Sequence, residues 1–354
     1  MRPLPLASVP KANPLRYFHP VLATSALAKK PVQVQVAGTK YVLFRDAEGR
    51  PAALADTCPH RGAPLSGGRV LADGRIACPY HGWSFDRDGG GRCPSQPTLR
   101  CETPAFQVAE KYGHLWLAEH TTSLGTLPSL GSAGFEFVGG ISTLFDTSLE
   151  ILLDNFAEDE HITMVHSVFG WSIEQWDQVA FEATNFDDRT EVVYSGPQRH
   201  VPGVMALMGL TRHDGFHNQW TTRFDPVRFE FQFRWHEPHS KRERPTAINL
   251  CVIMVPETAT TTRHYTFMHT RLSPRLHRLR PIVDKVFRFL TAREVKADAD
   301  FLKSIPLDWT PTGARLDKYD KPLVHNRKLL RERYWGHAAG TGDSSEPSCS
   351  VETR

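Results

Sequence analysis

Cys58-Pro59-His60 and Cys78-Pro79-Tyr80-His81 decide how this chain is read. Each stretch offers one thiolate and one imidazole, and 17 residues separate the two. The pattern is Cys-x-His followed by Cys-x2-His. A [2Fe–2S] cluster held by two Cys on one iron and two His on the other needs this ligand set. A Cys2His2 zinc site uses the same residue types, but zinc fingers group Cys with Cys and His with His. Here each loop carries one of each. A glycine follows each His loop, at Gly62 and Gly82, which suits tight backbone around sulfurs that accept N–H bonds. Ordinary core packing would require coincidence at four positions.

The surroundings extend the match. Cys58-Pro-His-Arg-Gly-Ala-Pro-Leu65 and Cys78-Pro-Tyr-His-Gly-Trp-Ser-Phe-Asp86 resemble the Rieske domain of Rieske-type non-heme iron oxygenases. Respiratory Rieske proteins join their two loops by a disulfide. This chain has Ala63 and Tyr80 where those cysteines are expected, so the resemblance is to the oxygenase-type centre.

Composition sets outer bounds. The 354 residues suffice for two domains with a sizeable core. Six cysteines are present, and Cys93, Cys101, Cys251 and Cys349 are left without a pattern, as reduced thiols rather than a disulfide framework. The leading Met1-Arg2-Pro3-Leu4-Pro5 is expected not to be a signal peptide. No apolar run approaches the ~20 residues that span a bilayer. The expected location is therefore cytoplasmic, with no membrane partner. A net charge of +3, without aromatics along a basic stripe, argues against nucleic acid as a partner.

Residues 14–121 read as one all-β domain. Val32, Val34 and Val36 alternate, Tyr41 to Phe44 follow, and a turn falls at Asp46 to Gly49. The stretch 86–91 reads as a hairpin turn, since no helix pattern follows it, and 112–117 reads as a closing strand. Residues 122–134 look like a linker. A second domain is expected over 135–338, and 339–354 as a disordered tail. Its clearest strand is 227–235, where apolar residues alternate with Arg228, Glu230, Gln232 and Arg234. Residues 248–255 and 263–272 read as a strand pair. Residues 274–305 read as a long helix with Ile282, Val283, Val286, Phe287 and Leu290 facing inward. The class is α+β, an antiparallel sheet on a long C-terminal helix. The resemblance implies the helix-grip form.

A second constellation is Asp154-Asn155-Phe-Ala-Glu158-Asp159-Glu160-His161-Ile-Thr-Met-Val-His166. Two His and one carboxylate on one face make a non-heme iron site with open positions. On a regular helix, an i,i+5 pair diverges by ~140°, so shared ligation requires a distorted helix. The segment resembles the family's Asn-x5-His-x4-His element, which implies His161 and His166 as iron ligands. The family places an Asp three residues before the first His, bridging toward a neighbouring subunit's Rieske centre. Glu158 stands there in this chain, with Asp159 the alternative. Asn155 is a candidate metal-edge group. The third ligand is expected from Asp298-Ala-Asp-Phe-Leu-Lys-Ser-Ile305, with Asp298 in the family's register and Asp300 the alternative.

The resemblance implies an oxygenase that hydroxylates or oxidatively demethylates a small apolar or aromatic substrate with O2. Dioxygenation and desaturation stay open. No Gly-x-Gly-x-x-Gly follows a strand, so NAD(P)H acts only indirectly, through a flavin-dependent reductase or a ferredoxin. The family also implies a head-to-tail homotrimer. The alternative is a Rieske redox carrier whose second domain binds a ligand or partner. The basic runs at 241–244 and 271–280 read as solvated faces, or as a docking patch for an acidic redox partner. The Met-containing stretch 202–210 is expected to line or lid the pocket. Phe156, Phe169 and Trp171 are expected near the site.

Overall fold

The computed structural model describes residues 12–120, 126–307, 309 and 315–337. The leading Met1 to Pro5, residues 121–125 at the first domain's end and in the linker, and the tail 339–354 with Cys349 lie outside them.

The N-terminal half is all β. Its strands are β1 (His19–Ala23), β2 (Val32–Val36), β3 (Thr39–Arg45), β4 (Pro51–Ala55), the short β5 (Arg69–Val70), β6 (Ile76–Ala77), β7 (Ser84–Phe85) and β8 (Gly91–Arg92), then β9 (Ala105–Lys111) and β10 (His114–Glu119). Six pair in the order β1-β10-β9-β4-β3-β2, and the short ones form a separate meander β5-β6-β7-β8. The valine alternation places Val34 and Val36 in the core. The closing strand starts two residues later than expected. Tyr112 and Gly113 both have positive φ, 56° and 71°, and make the β9–β10 turn. The meander presents both Cys/His loops: Cys58 to Gly62 precede it, and Cys78 to Gly82 join β6 to β7.

The C-terminal half is one antiparallel sheet. Its strands are β11 (Glu136–Phe145), β12 (Ala180–Asn185), β13 (Arg189–Pro197), β14 (Gly215–Phe224), β15 (Val227–His236), β16 (Ala247–Pro256) and β17 (Thr262–Arg271). They run in the order β11-β17-β16-β15-β14-β13-β12. Helices α1 (Leu149–Asn155), α2 (Ile162–Val165), α3 (Pro202–Met208), α4 (Arg280–Leu302) and α5 (Lys321–Leu329) complete it. The expected helix over 274–305 splits, since Pro274–Leu279 is a 3-10 segment before α4. Val283, Phe287 and Leu290 point inward as expected. Ile282 is exposed and Val286 half-buried, because Ile282 lies ~120° from the centre of the buried stripe.

Strand β15 shows the expected single buried face, while β16 and β17 are covered on both. Ile248, Val252 and Met254 join the core on the α4 side. Cys251, Ile253, Val255, Tyr265 and Phe267 join a second core with Val21, Val34 and Trp116 of the N-terminal sheet. Trp116 stacks on Phe267 with ring centroids 5.4 Å apart. Ala37 and Gly38 donate to the carbonyls of Pro256 and Glu257 across the same junction. Among the described residues, no helix is long and apolar enough to cross a membrane.

Candidate metal centres

The two Cys/His loops have one backbone plan. Cys58 N–H donates to Ala63 O and Gly62 N–H to Cys58 O, both at 2.9 Å. Cys78 N–H donates to Trp83 O at 2.7 Å and Gly82 N–H to Cys78 O at 3.2 Å. Gly62 and Gly82 take φ of 72° and 74°, the left-handed region where a Cβ is disfavoured. Cys58 and Cys78 are buried, and the Cys58 thiol lies within hydrogen-bonding reach of Cys78 and of the His60 and Arg61 N–H groups. Burial pushes the Cys58 thiol up, which those N–H groups oppose. The His60 and His81 rings lie 4.6 Å apart, and Trp83 stacks flat on His60 at 4.5 Å. His60 Nδ1 is buried with no partner. Two paired buried thiols and an orphaned imidazole nitrogen fit a [2Fe–2S] cluster held by Cys58, His60, Cys78 and His81.

The second centre gathers residues far apart in sequence. His161, His166 and Asp298 each turn a ligand atom to within 4.8 Å of the others. His166 Nε2 lies 2.9 Å from Asp298 Oδ1, and His161 Nε2 lies 3.6 Å from it. The i,i+5 difficulty is resolved by a helix that is too short to impose it. His161 caps α2, and His166 has already left it with φ −92° and ψ 157°. Arg199 holds this geometry. Its guanidinium donates to the carbonyls of Ile162 (2.9 Å) and Thr163 (3.1 Å), and also to those of His166 and Trp171. These carbonyls include those a four-residue helix leaves unpaired.

Carboxylates orient both imidazoles. Glu158 Oε1 lies 2.6 Å from His161 Nδ1, and Glu158 Oε2 accepts the His161 N–H at 3.1 Å. Glu294 Oε2 lies 3.7 Å from His166 Nδ1 and accepts the Ser167 N–H at 2.8 Å. Burial opposes charge on His161, but the carboxylates of Glu158, Asp298 and Asp159 outweigh it and push the ring up to about 9. A field that favours a proton there also favours a divalent cation, so the donor set and its charge fit a mononuclear iron. Asp300, two residues on and nearly on the opposite side of α4, is exposed and pairs with Lys296 and Lys303.

Asp159 is buried against β14. Burial pushes its carboxyl up to about 7, although Asn218 Nδ2 donates to it at 2.6 Å and His161 lies near. Asn155 Nδ2 is buried without a partner. Asn155, Glu158 and Asp159 all line a cavity that also contains the three ligand residues. Phe156, Phe169, Phe231, Phe233 and Leu250 supply much of its apolar wall.

Three expectations about the surroundings meet different outcomes. Phe156 and Phe169 line the cavity, while Trp171 lies behind it, fully buried, with its carbonyl held by Arg199. Residues 202–208 form α3, whose Met205 and Met208 pack into the core, so the segment neither lines nor lids the cavity. Within the basic runs, Arg244, Arg271 and Arg280 pair with Asp214, Glu243 and Glu136, while Lys241, Arg242, Arg275 and Arg278 are exposed, as on a solvated face. Sequence reading also missed Arg199, Glu294 and Asn218. Glu294 had a signal, four residues before Asp298 on the same helix face. Asn218 had one too, since alternation from Phe216 to Trp220 sets it on the buried face.

Residues 18–112 match the model of the Rieske [2Fe–2S] domain, and residues 145–293 match that of the vanillate O-demethylase oxygenase C-terminal domain. The chain belongs to the Rieske-type non-heme iron oxygenases, whose Rieske domain carries a [2Fe–2S] cluster and whose second domain is of the mononuclear-iron type. The oxygenase component of dicamba O-demethylase from Stenotrophomonas maltophilia is 36% identical over 152 residues, 40% of this chain and 44% of that protein. The vanillate O-demethylase oxygenase subunit of a Pseudomonas sp. (strain HR199 / DSM 7063) is 32% identical over 154 residues, 40% of this chain and 42% of that one. Chlorophyllide a oxygenase of Arabidopsis thaliana is 24% identical across 94% of this chain and 59% of its own. The chain thus spans less than two thirds of each of these curated relatives. The crystal structure of dicamba monooxygenase bound to 3,6 dichlorosalicylic acid superposes with a TM-score of 0.71 at 22% identity, covering 90% of this chain and 97% of that one, a likeness of fold.

Proposed function

We propose that this chain is the oxygenase component of a multicomponent monooxygenase, hydroxylating or demethylating a small apolar or aromatic molecule with O2. One observation carries the reading: the Nε2 atoms of His161 and His166 and a carboxylate oxygen of Asp298 converge at the wall of an apolar cavity. A redox carrier has no need of such a triad. O-demethylase components among the relatives support the same chemistry.

When bound, the cluster supplies single electrons and ferrous iron supplies a Lewis-acidic centre with open positions for oxygen. The chain's own residues do the rest. Cys58, His60, Cys78 and His81 would hold the cluster, and His161, His166 and Asp298 the iron. His81 is exposed beside the exposed Tyr80, so one edge of the cluster site faces outward to a donor. We assign Glu158 rather than Asp159 to link the two kinds of site, because Glu158 contacts His161 Nδ1 while Asp159 is turned to Asn218. That link would run between subunits of a head-to-tail homotrimer. The donor would be a ferredoxin or flavin-dependent reductase that draws on NAD(P)H, and the proposed location is the cytoplasm.

Iron and acid-labile sulfide, measured after anaerobic reconstitution, test this. About three irons to two sulfides per chain are expected, with one iron lost in His161→Ala. Equal iron and sulfide in both proteins would leave the redox carrier. Product mass then separates one added oxygen or a lost methyl from two added oxygens or two lost hydrogens.

A further inference from the structure

We infer that the cavity takes an uncharged, largely apolar molecule that donates one hydrogen bond to Asn218 Oδ1. The inference rests on the oxygenase reading and names its substrate class. Asn218 is only 2% exposed. It sits on β14 between Phe216 and Trp220, opposite Phe233 on β15, as a polar group set into an aromatic wall. Its Nδ2 donates to Asp159 Oδ2 at 2.6 Å, and its Oδ1 has no partner. The contact to Asp159 uses the NH2 end of the amide. The acceptor end is thereby left over. A buried acceptor without a donor is costly, and a ligand hydroxyl or N–H recovers that cost on binding.

Charge sets the other half of the specificity. Among the described residues, no Lys or Arg lines the cavity. Its acidic members are Glu158, Asp159, Glu294 and Asp298. Each is already engaged, by His161, Asn218, Ser167 and His166 respectively. Apart from the iron, an anionic substrate would find no cationic side chain to pair with and would sit beside four carboxylates. A cationic one would compete with the iron and the two imidazoles for those carboxylates. A phenol, an amide or a neutral alcohol with an apolar body meets both conditions.

Anaerobic calorimetric titration of the iron-reconstituted full chain tests this at neutral pH, with 2-naphthol, 2-methoxynaphthalene and 2-naphthoate as probes. The naphthol is expected to bind about tenfold tighter than its methyl ether. The naphthoate is expected to bind weakest. In Asn218→Leu the gap between naphthol and ether should vanish. The inference is overturned if the naphthol shows no saturable binding, if naphthol and ether bind equally, if the naphthoate matches the naphthol, or if the gap persists in the variant. The wild-type ranking stands as a test even if Asn218→Leu does not fold. Because no oxygen is present, the ranking is independent of turnover. An intact ranking with no oxygen-dependent product from any substrate would sink the oxygenase reading alone.

Discussion

A carboxylate one methylene longer than the family's usual Asp makes the contact that matters at the iron centre. Glu158 reaches His161 from both its side-chain oxygens, one to the ring and one to the backbone N–H. Losing it removes the group that sets the tautomer and raises the basicity of that ligand. Glu158→Ala should lower iron affinity at the triad by about 10- to 100-fold, read by iron titration, while the cluster's absorption spectrum stays unchanged. Asp298 and Asp300 offer a sharper contrast. Asp298→Ala should abolish the extra iron, and Asp300→Ala should retain it, because only the first carboxylate is buried with the two imidazoles. Iron analysis of the two proteins decides it, and loss of iron in Asp300→Ala would refute the assignment. Much of this was legible in the sequence. Loop spacing marked the cluster residues, and helix geometry allowed only one of two aspartates two residues apart to face inward. Arg199 was not legible, because a lone Arg in a strand-end stretch carries no pattern. Its role depends on carbonyls that point to it from 28 to 37 residues away.

At the level of elements, the short helix α2 is the part most dependent on outside help. Four residues cannot hold a helix by their own hydrogen bonds. Arg199 supplies the missing donors, and it is itself half-buried, which pulls its guanidinium down from its usual range. Arg199→Ala should lower stability by about 3 kcal/mol and loosen the triad. Chemical denaturation and iron content report the two effects, and an unchanged iron content with lower stability would confine Arg199 to folding. Strand identities were legible wherever one face is solvated, as on β15, where the charged residues alternate with Phe. They were less legible on β16, whose run of apolar residues does not say which neighbours face which core. The stretch 202–210 misled for a related reason. Its Met residues suit a flexible lid and a packed helix equally, and tertiary packing chose the helix.

Across the whole molecule, the two halves are joined by more than a linker. His19, on the first strand, is fully buried and lies 3.0 Å from the Tyr334 hydroxyl near the far end of the described chain. Burial pulls its pKa down to about 4, opposed by its contact with the Tyr17 carbonyl. Burial pulls His264 down to about 4 as well. Both are neutral when folded and take up a proton more readily when unfolded. Their contribution is fully present above the ordinary histidine value of 6.5 and is lost as pH falls from there toward 4. Stability should therefore drop by a few kcal/mol over that window, measured as urea midpoints against pH. His19→Gln should flatten part of the slope, and an unchanged slope would remove His19 from the account.

Strand β16 serves two masters on alternate residues. Ile248, Leu250 and Val252 look into the cavity, while Cys251, Ile253 and Val255 are pressed against the N-terminal half. Evolution can therefore reshape what the cavity accepts, one even-numbered side chain at a time, without disturbing the seam that keeps the halves together. The odd-numbered positions have no such freedom. A lineage descending from this chain would be expected to drift along β16 with a period of two, diversifying its diet while its architecture stands still.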